Sequence, residues 1–453
     1  MAAAFVRCEF RLVAALLMAV TAGAGARAEE GKAYTLEECV RFGLANSAVA
    51  TKARLDQQIA ETVVRQARAE ALPQVSVSAN YTRLDEVQEI DFGEETIEAG
   101  ALDNYQAQAD VSQLLYSGGR VKAALKAANL TRRHADWAKL NDEETLVRDI
   151  RVGFFDILFA RAALRVRQES VALLRAQTEQ IERKYRSGAV SEFDAVSARV
   201  RLANELPALI NVSNGVDVAT ENFRRLLDVS DAHFDIRGEL ACEPLSLSLE
   251  DAERLAMVNR PAIRQVDYVV RLREQDVAAT ASRARPSLRA RFSYAGSNPP
   301  YGLVTFVDEW QWHWNAGLVA TWNVWDGDLT RAAVRQKELE LAKSQTDLDE
   351  IRKAVRLEVK TAYLDMRRAL EAVQAGKDTV QMAEKGLAIA RSRYDSGLST
   401  FLEFTDSNLA LSTARLLHHQ ALRDHMAAVA QLQYACGAGK VAAGGGNTDH
   451  ESK

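Results

Sequence analysis

The sequence predicts a mostly α-helical fold with a small membrane β-barrel portion to which several chains contribute. Three observations carry that prediction. The phrase YRSGAVSEFDAVSARVRLANEL begins at Tyr185, and its near copy YDSGLSTFLEFTDSNLALSTARL begins at Tyr394, 209 residues later (394 − 185). Two runs of about 65 residues, Gly119 to Tyr185 and Asp328 to Tyr394, contain no proline. Four short segments alternate apolar and polar residues with period two, the pattern of strands with one face of each kind.

The chain opens with a leader. Arg7 and Arg11 flank Leu12–Val20, LVAALLMAV, and Ala26-Arg27-Ala28 makes a small-residue cleavage site, so residues 1–28 read as a signal peptide too short to anchor. Removing them takes away Arg7, Arg11, Arg27 and Glu9, a net +2, so the formal charge of −5 becomes about −7. That balance disfavours a nucleic-acid partner. Cys39, Cys242 and Cys436 remain, far apart and without CxxC spacing, which points to small hydrophobes and not to a metal or redox motif. A single disulfide among them stays open.

Each half then runs through the same elements. A helix over about 36–70, and again over 249–283, ends at Pro73 or Pro286. A strand follows: Val75, Val77, Ala79 and Tyr81 alternate with serines and Asn80, and in the second copy Leu288, Ala290, Phe292 and Tyr294 alternate with Arg289, Arg291 and Ser293. The second strand reads Tyr105, Ala107, Ala109, Val111, then Trp314, Ala316, Leu318, Ala320. The early elements match at an offset of 213 and the later ones at 209, which places a four-residue slip in the loop between Tyr81 and Gly118. Both long helices carry heptad apolar positions: Ile150, Ile157, Leu164, Val171 and Tyr185, then Val359, Met366, Val373, Val380, Leu387 and Tyr394. At 1.5 Å per residue, about 65 residues span on the order of 100 Å. The opening phrases are the tips: basic residues before Gly188 and Gly397 close a helix, and Ser191/Asp194 and Thr400/Glu403 are capping pairs that start the next. Pro207 predicts a break midway along its helix. Residues 437–453 read as a disordered tail.

Four strands form a sheet with open edges, and their apolar faces need a partner. For an exported chain the alternative is a closed barrel in an outer membrane. Five of the six tryptophans, Trp310, Trp312, Trp314, Trp322 and Trp325, surround the fourth strand as an interfacial girdle would. Small barrels need about eight strands, so one chain cannot close one. Three copies would supply twelve strands, and the same symmetry would wrap the helices into a tube.

The duplicated helix–strand–strand–helix plan, the YSGG at Tyr116 and WDGD at Trp325 opening each long helix, and the Y-x-x-G tips resemble the TolC-like outer-membrane efflux proteins. The resemblance spans about 34–436 and implies 29–240 as repeat 1 and 241–436 as repeat 2. It implies a homotrimer in the cell outer membrane, a twelve-stranded barrel embedded in outer-membrane lipid and continued by a long α-helical periplasmic tunnel. It also implies a periplasmic adaptor protein and an inner-membrane pump as partners, in a tripartite efflux or type I secretion system whose passive exit duct this chain would be. A structural periplasm-spanning tether without an open pore is the alternative.

By the same resemblance, Glu403 and Asp406 match the acidic constriction of a periplasmic gate, and Tyr394 and Asp194 match a network that holds the tip shut. Ser399 stands where that network often has a basic residue. Capping accounts for Asp194 and Glu403 equally well, and Tyr185 reads as core. Asp406 differs: its counterpart (406 − 209) is Ser197, so the repeat plan requires no acid there. A solvated helix-face charge is the competing reading. No P-loop, GxSxG or HExxH motif is present, and His418, His419 and His425 lack i, i+4 spacing, so no enzyme, cofactor or metal is predicted.

Overall fold

Both long proline-free runs fold as single helices of equal length. The structure, a computed structural model, describes residues 33–91, 96–99, 101–231, 234–242, 246–298, 300 and 309–438. The leader at 1–28 lies outside these residues, as does the expected tail from 439 on; its first two residues, Gly437 and Ala438, are ordered, their amides donating to the carbonyls of Tyr434 and Gln433. After a short strand β1 (Ala33–Tyr34) come helices α1 (Leu36–Asn46) and α2 (Ala48–Ala69), strand β2 (Gln74–Arg83), a small hairpin of β3 (Gln88–Asp91) and β4 (Thr96–Ala99), strand β5 (Asp103–Tyr116), and helices α3 (Arg120–Arg186) and α4 (Glu192–Leu227). Strand β6 (Asp235–Ile236) pairs in parallel with β1. The order then repeats as α5 (Leu249–Asn259), α6 (Pro261–Ala281), β7 (Ser287–Asn298), β8 (Gln311–Thr321), α7 (Leu329–Asp395) and α8 (Phe401–Ala435). The β3–β4 hairpin sits in the loop where the repeat offset slips.

Three expectations are corrected. The helix expected over 36–70 is two helices. Ser47 adopts an extended backbone (φ −59°, ψ 148°) and its Oγ accepts from the amide of Ala50, so one serine ends α1 and caps α2. In the second copy Arg260 plays that part (φ −63°, ψ 118°), because Pro261 pushes the residue before it out of the helical region. Pro207 does not break α4, which runs unbroken from Glu192 to Leu227. It lies on an exposed face, where water can satisfy the carbonyl its missing N–H leaves free. Tyr185 is not core: it is 39% exposed. A straight helix drifts about 20° per heptad, so the seam that buries Ile150 and Ile157 passes to Ile181 at the end of α3.

Packing repeats with the elements. α3 lies along α4 and α7 along α8, while α3 also contacts α2, α6 and α8. One core gathers Ile150, Ile157 and Phe154 of α3, Phe223 and Leu227 of α4, and Cys39 and Val40 of α1. A second gathers Val355, Val359 and Met366 of α7, Leu432 of α8, and Ala252 and Ala256 of α5. Each fully buried Ile or Phe contributes roughly 1.5–3 kcal/mol of apolar burial. Arg260, almost wholly buried at the α5–α6 junction, ties that junction to α7 and α8: it donates to the carbonyl of Tyr434, pairs with Glu358 at 3.2 Å, and lies 3.7 Å from the Tyr434 ring centre. All three cysteines are free. Burial pushes the Cys39 thiol up to about 12 and that of Cys436 to about 11.

The sheet is antiparallel throughout, in the order β2-β5-β7-β8, so β2 and β8 are open edges. Its register sorts residues into rows of one character. Val77, Ala109, Tyr294 and Trp314 form one row, and Val75, Val111, Phe292 and Ala316 another. On the opposite face Ser76, Asp110, Ser293 and Asn315 align. Gly296 leaves room for Trp312 to lie flat on the apolar face: a Cβ there would stand 2.7 Å from the indole. Tyr294 and Trp312 stack at 5.2 Å.

Candidate functional site

The hairpins α3–α4 and α7–α8 turn identically. Past α3, Gly188 takes φ +75°, its amide donates to the Tyr185 carbonyl and that of Ala189 to the Lys184 carbonyl. Past α7, Gly397 takes φ +73°, with the matching pair from Gly397 to Tyr394 and from Leu398 to Arg393. This paired closure demands a left-handed residue, which glycine supplies without steric cost.

The four helix ends meet in one apolar cluster: Ile181 of α3, Ala195 and Ala198 of α4, Tyr394 of α7, and Phe401 and Phe404 of α8. Tyr394 is 9% exposed, packs its ring against Phe401 and Phe404 at 6.2 and 5.9 Å, and has the Lys184 ammonium 5.2 Å from its centre. Burial, then the charges of Asp194 and Asp395, raise the Tyr394 phenol above its ordinary value.

The sequence-predicted residues divide into three cases. Asp194 completes a full capping box: its amide donates to Ser191 Oγ, and its carboxylate accepts from the Ser191 amide and hydroxyl. It lies close enough to Tyr394 to act on the phenol through space, but among the described residues no hydrogen bond joins the two. Glu403 completes only half a box. Its amide donates to Thr400 Oγ1, while its carboxylate accepts from Ser399 Oγ at 2.6 Å. Ser399, standing where a basic residue was expected, thus holds Glu403 as a neutral donor. Asp406 has an exposed side chain (63%) that nevertheless has a partner, Arg201 Nη1 of α4 at 3.6 Å. The same Nη1 donates to Thr405 Oγ1 at 2.6 Å, and Thr405 is buried.

Arg201 is the residue that reading the motifs missed. The signal was present in the repeat: its counterpart (201 + 209) is Ala410, so Arg201 and Asp406 both depart from the duplicated plan, and they touch. A second link lies deeper, where buried Asn408 of α8 donates to Ser170 Oγ of α3 at 3.1 Å. His425 is 1% exposed, with Nδ1 3.7 Å from Cys242 Sγ. Among the described residues no group of three or more His, Cys, Asp or Glu is placed to hold a metal, and no helix is long and apolar enough to cross a membrane.

The sheet is the other candidate surface. Its apolar face is exposed over large side chains: Val77 79%, Trp314 68%, Leu318 68%. Water is a poor solvent for so continuous a patch.

The chain as a whole is similar to known proteins. The outer membrane efflux protein family matches the chain twice, at residues 44–228 and 254–438. The outer membrane protein TolC of Escherichia coli (strain K12) is 21% identical over 376 residues, covering 80% of this chain and 74% of that one. The outer membrane efflux protein BepC of Brucella suis biovar 1 is 21% identical over 440 residues, covering 96% and 91%. The solved structure of the outer membrane protein VceC from Vibrio cholerae superposes with a TM-score of 0.73 at 15% identity, covering 89% of this chain and 96% of that one. With two family matches that together take in most of its length, the chain belongs to the outer membrane efflux protein family.

Proposed function

We propose that three copies of this outer-membrane efflux channel close their four-stranded sheets into one twelve-stranded barrel, and that the hairpin tips gate its periplasmic end. The observation that carries the reading is the sheet: it has two open edges and two faces of opposite character, so a single chain leaves it unfinished. Joining β8 of one copy to β2 of the next removes every edge. The apolar rows then face lipid, with the tryptophans around β8 at an interface, and the polar rows line a lumen. The long helices, each about 100 Å by their rise, continue the lumen as a tunnel. On this reading a periplasmic adaptor and an inner-membrane pump deliver cargo to the tips, and the channel itself is passive.

At the tips, three-fold symmetry gathers the Asp406 and Glu403 carboxylates into a ring that favours cations. Arg201 belongs to the closed arrangement. It bridges the first hairpin to Thr405 and Asp406 of the second, so the second hairpin cannot swing away without breaking a charge-assisted hydrogen bond and an ion pair. Tyr394 packs the second hairpin against the first beside that bridge, and Asp194 caps the start of α4 next to it.

The test is planar-bilayer conductance of the purified mature protein with Asp406→Ala alongside. A small cation-selective conductance that the substitution alters is the expected result. Conductance indifferent to Asp406 removes the acidic gate. Silence from a folded, heat-modifiable trimer counts against an open duct.

A further inference from the structure

We propose that Arg289 and Arg291 form a basic ring at the helix end of the barrel lumen, which attracts anionic groups, carboxylate or phosphate, in whatever leaves the tunnel. The inference rests on the reading that three copies close a barrel. Both arginines lie on the polar face of β7, two residues apart, within five residues of its start at Ser287 and hence beside the helices. Across the sheet Arg291 stands in a row with Gln74, Ser112 and Gly317, and Arg289 with Leu114 and Val319, so neither row holds a carboxylate. Gly317 leaves open space next to Arg291.

Neither side chain has an ion-pair partner among the described residues, and both are exposed. Asp110, one rung further along that face, accepts from the amide of Gln108 at 2.8 Å and sets one negative charge against the two arginines of each chain. Nearby charges are also committed: Arg120 pairs with Glu70 at 3.4 Å, and Arg285 donates to the Gly118 carbonyl at 3.1 Å. A recess of about 400 Å³ opens at this level, lined by Gln74, Ser112, Arg289 and the paired Arg120 and Glu70 among others.

The repeat supplies an independent argument. At the 213 offset the counterparts of Arg289 and Arg291 are Ser76 and Ser78, so the plan asks for a polar lining and not for charge. Three-fold closure would set six guanidiniums on two adjacent rungs of the lumen wall. A narrow, low-dielectric wall focuses their field, and the planar fork of arginine suits carboxylate and phosphate oxygens. The duct then carries an acidic ring at its periplasmic mouth and a basic one at the barrel's base.

The test uses bilayer recordings of the full mature channel under a tenfold KCl gradient, with inorganic pyrophosphate added from the barrel side. In Arg289→Gln/Arg291→Gln the reversal potential is expected to shift toward the potassium limit, and the pyrophosphate needed for half-block to rise about tenfold. Arg289→Lys/Arg291→Lys should keep both properties close to the parent. A conducting Gln variant with unchanged reversal potential and unchanged block overturns the ring and leaves the channel standing. If parent and variants form heat-modifiable trimers and none passes current, the barrel-duct reading fails and the ring falls with it.

Discussion

The first hairpin leaves its tyrosine in solvent and the second buries it: Tyr185 is 39% exposed and Tyr394 9%. The turns themselves are the same, down to the two backbone hydrogen bonds around a left-handed glycine. What differs is the residues after the turn. Where the first hairpin has Glu192 and Ala195, the second has Phe401 and Phe404 at the 209 offset, and both phenylalanines enter the shared cluster. Where the first has Ser197 and Arg201, the second has Asp406 and Ala410. Duplication preserved the turn chemistry, because any other residue at the glycine is strained. Divergence acted on the residues that let one hairpin seat itself against the other.

That comparison breaks most readily at Phe404, which is fully buried. Phe404→Ala should destabilise the tip by about 3–5 kcal/mol, read as faster proteolysis at the 397–400 turn and lost hydrogen-exchange protection in α8. Phe193→Ala, at a site 78% exposed, should change tip stability by no more than about 0.5 kcal/mol. Equal effects would mean the hairpins do not divide the packing as described.

The glycines test the other half of the comparison. Gly397→Ala and Gly188→Ala meet no neighbour within 4 Å, so any cost is conformational. Each should lose about 1–2 kcal/mol, and the two losses should match in the same exchange measurement. A much larger loss at Gly397 would show that the second turn carries something the first lacks.

Much of this fold was legible because its signals are local. Turn glycines, capping serines, strand alternation and the repeat offset each lie within a few residues of what they specify. Ser47 was missed because a serine inside a helical pattern is ambiguous until its hydroxyl finds an amide three residues on. Pro207 was over-read: exposure of the freed carbonyl, which sequence does not show, let the helix continue. Tyr185 was misplaced by a heptad count that ignores the drift of a straight helix. At the proposed gate, resemblance names Glu403 and Asp406 but not their partners. Ser399 and Arg201 become partners through a turn and a neighbouring helix, and only the mismatch between repeats marked Arg201 beforehand.

A smaller effect is confined to alkaline solution. The Tyr394 phenol has its pKa raised by burial first and neighbouring carboxylates second. With the folded value above the unfolded one, the folded tip holds the proton longer. Its stabilisation is complete below the unfolded value near 10 and is lost as pH climbs through the folded value. Tyr394→Phe should flatten that alkaline loss, measured by hydrogen exchange or proteolysis of the tip between pH 9 and 11. A loss of the same slope in the variant would place the titrating group elsewhere.

A modest change in stability is expected at Arg201, and it separates packing from gating. An ion pair this exposed is worth roughly 0–1 kcal/mol, and the hydrogen bond to buried Thr405 adds about 1 kcal/mol, so Arg201→Ala should cost no more than about 1–2 kcal/mol and leave trimer assembly intact. Its effect on current should be out of proportion, because the bond it removes joins the two hairpins nearer their turns than the Asn408–Ser170 link does. Arg201→Ala is expected to raise single-channel open probability while deepening cation selectivity, since Asp406 loses its counter-charge. Asp406→Ala should also loosen closure but weaken that selectivity. Exchanging the charges, Arg201→Asp with Asp406→Arg, should restore closure toward the parent more fully than either single change, which a role in packing alone would not produce. If the exchanged pair opens as freely as the singles, the contact between these side chains is incidental, and the asymmetry of the hairpins rests on Phe401 and Phe404 alone.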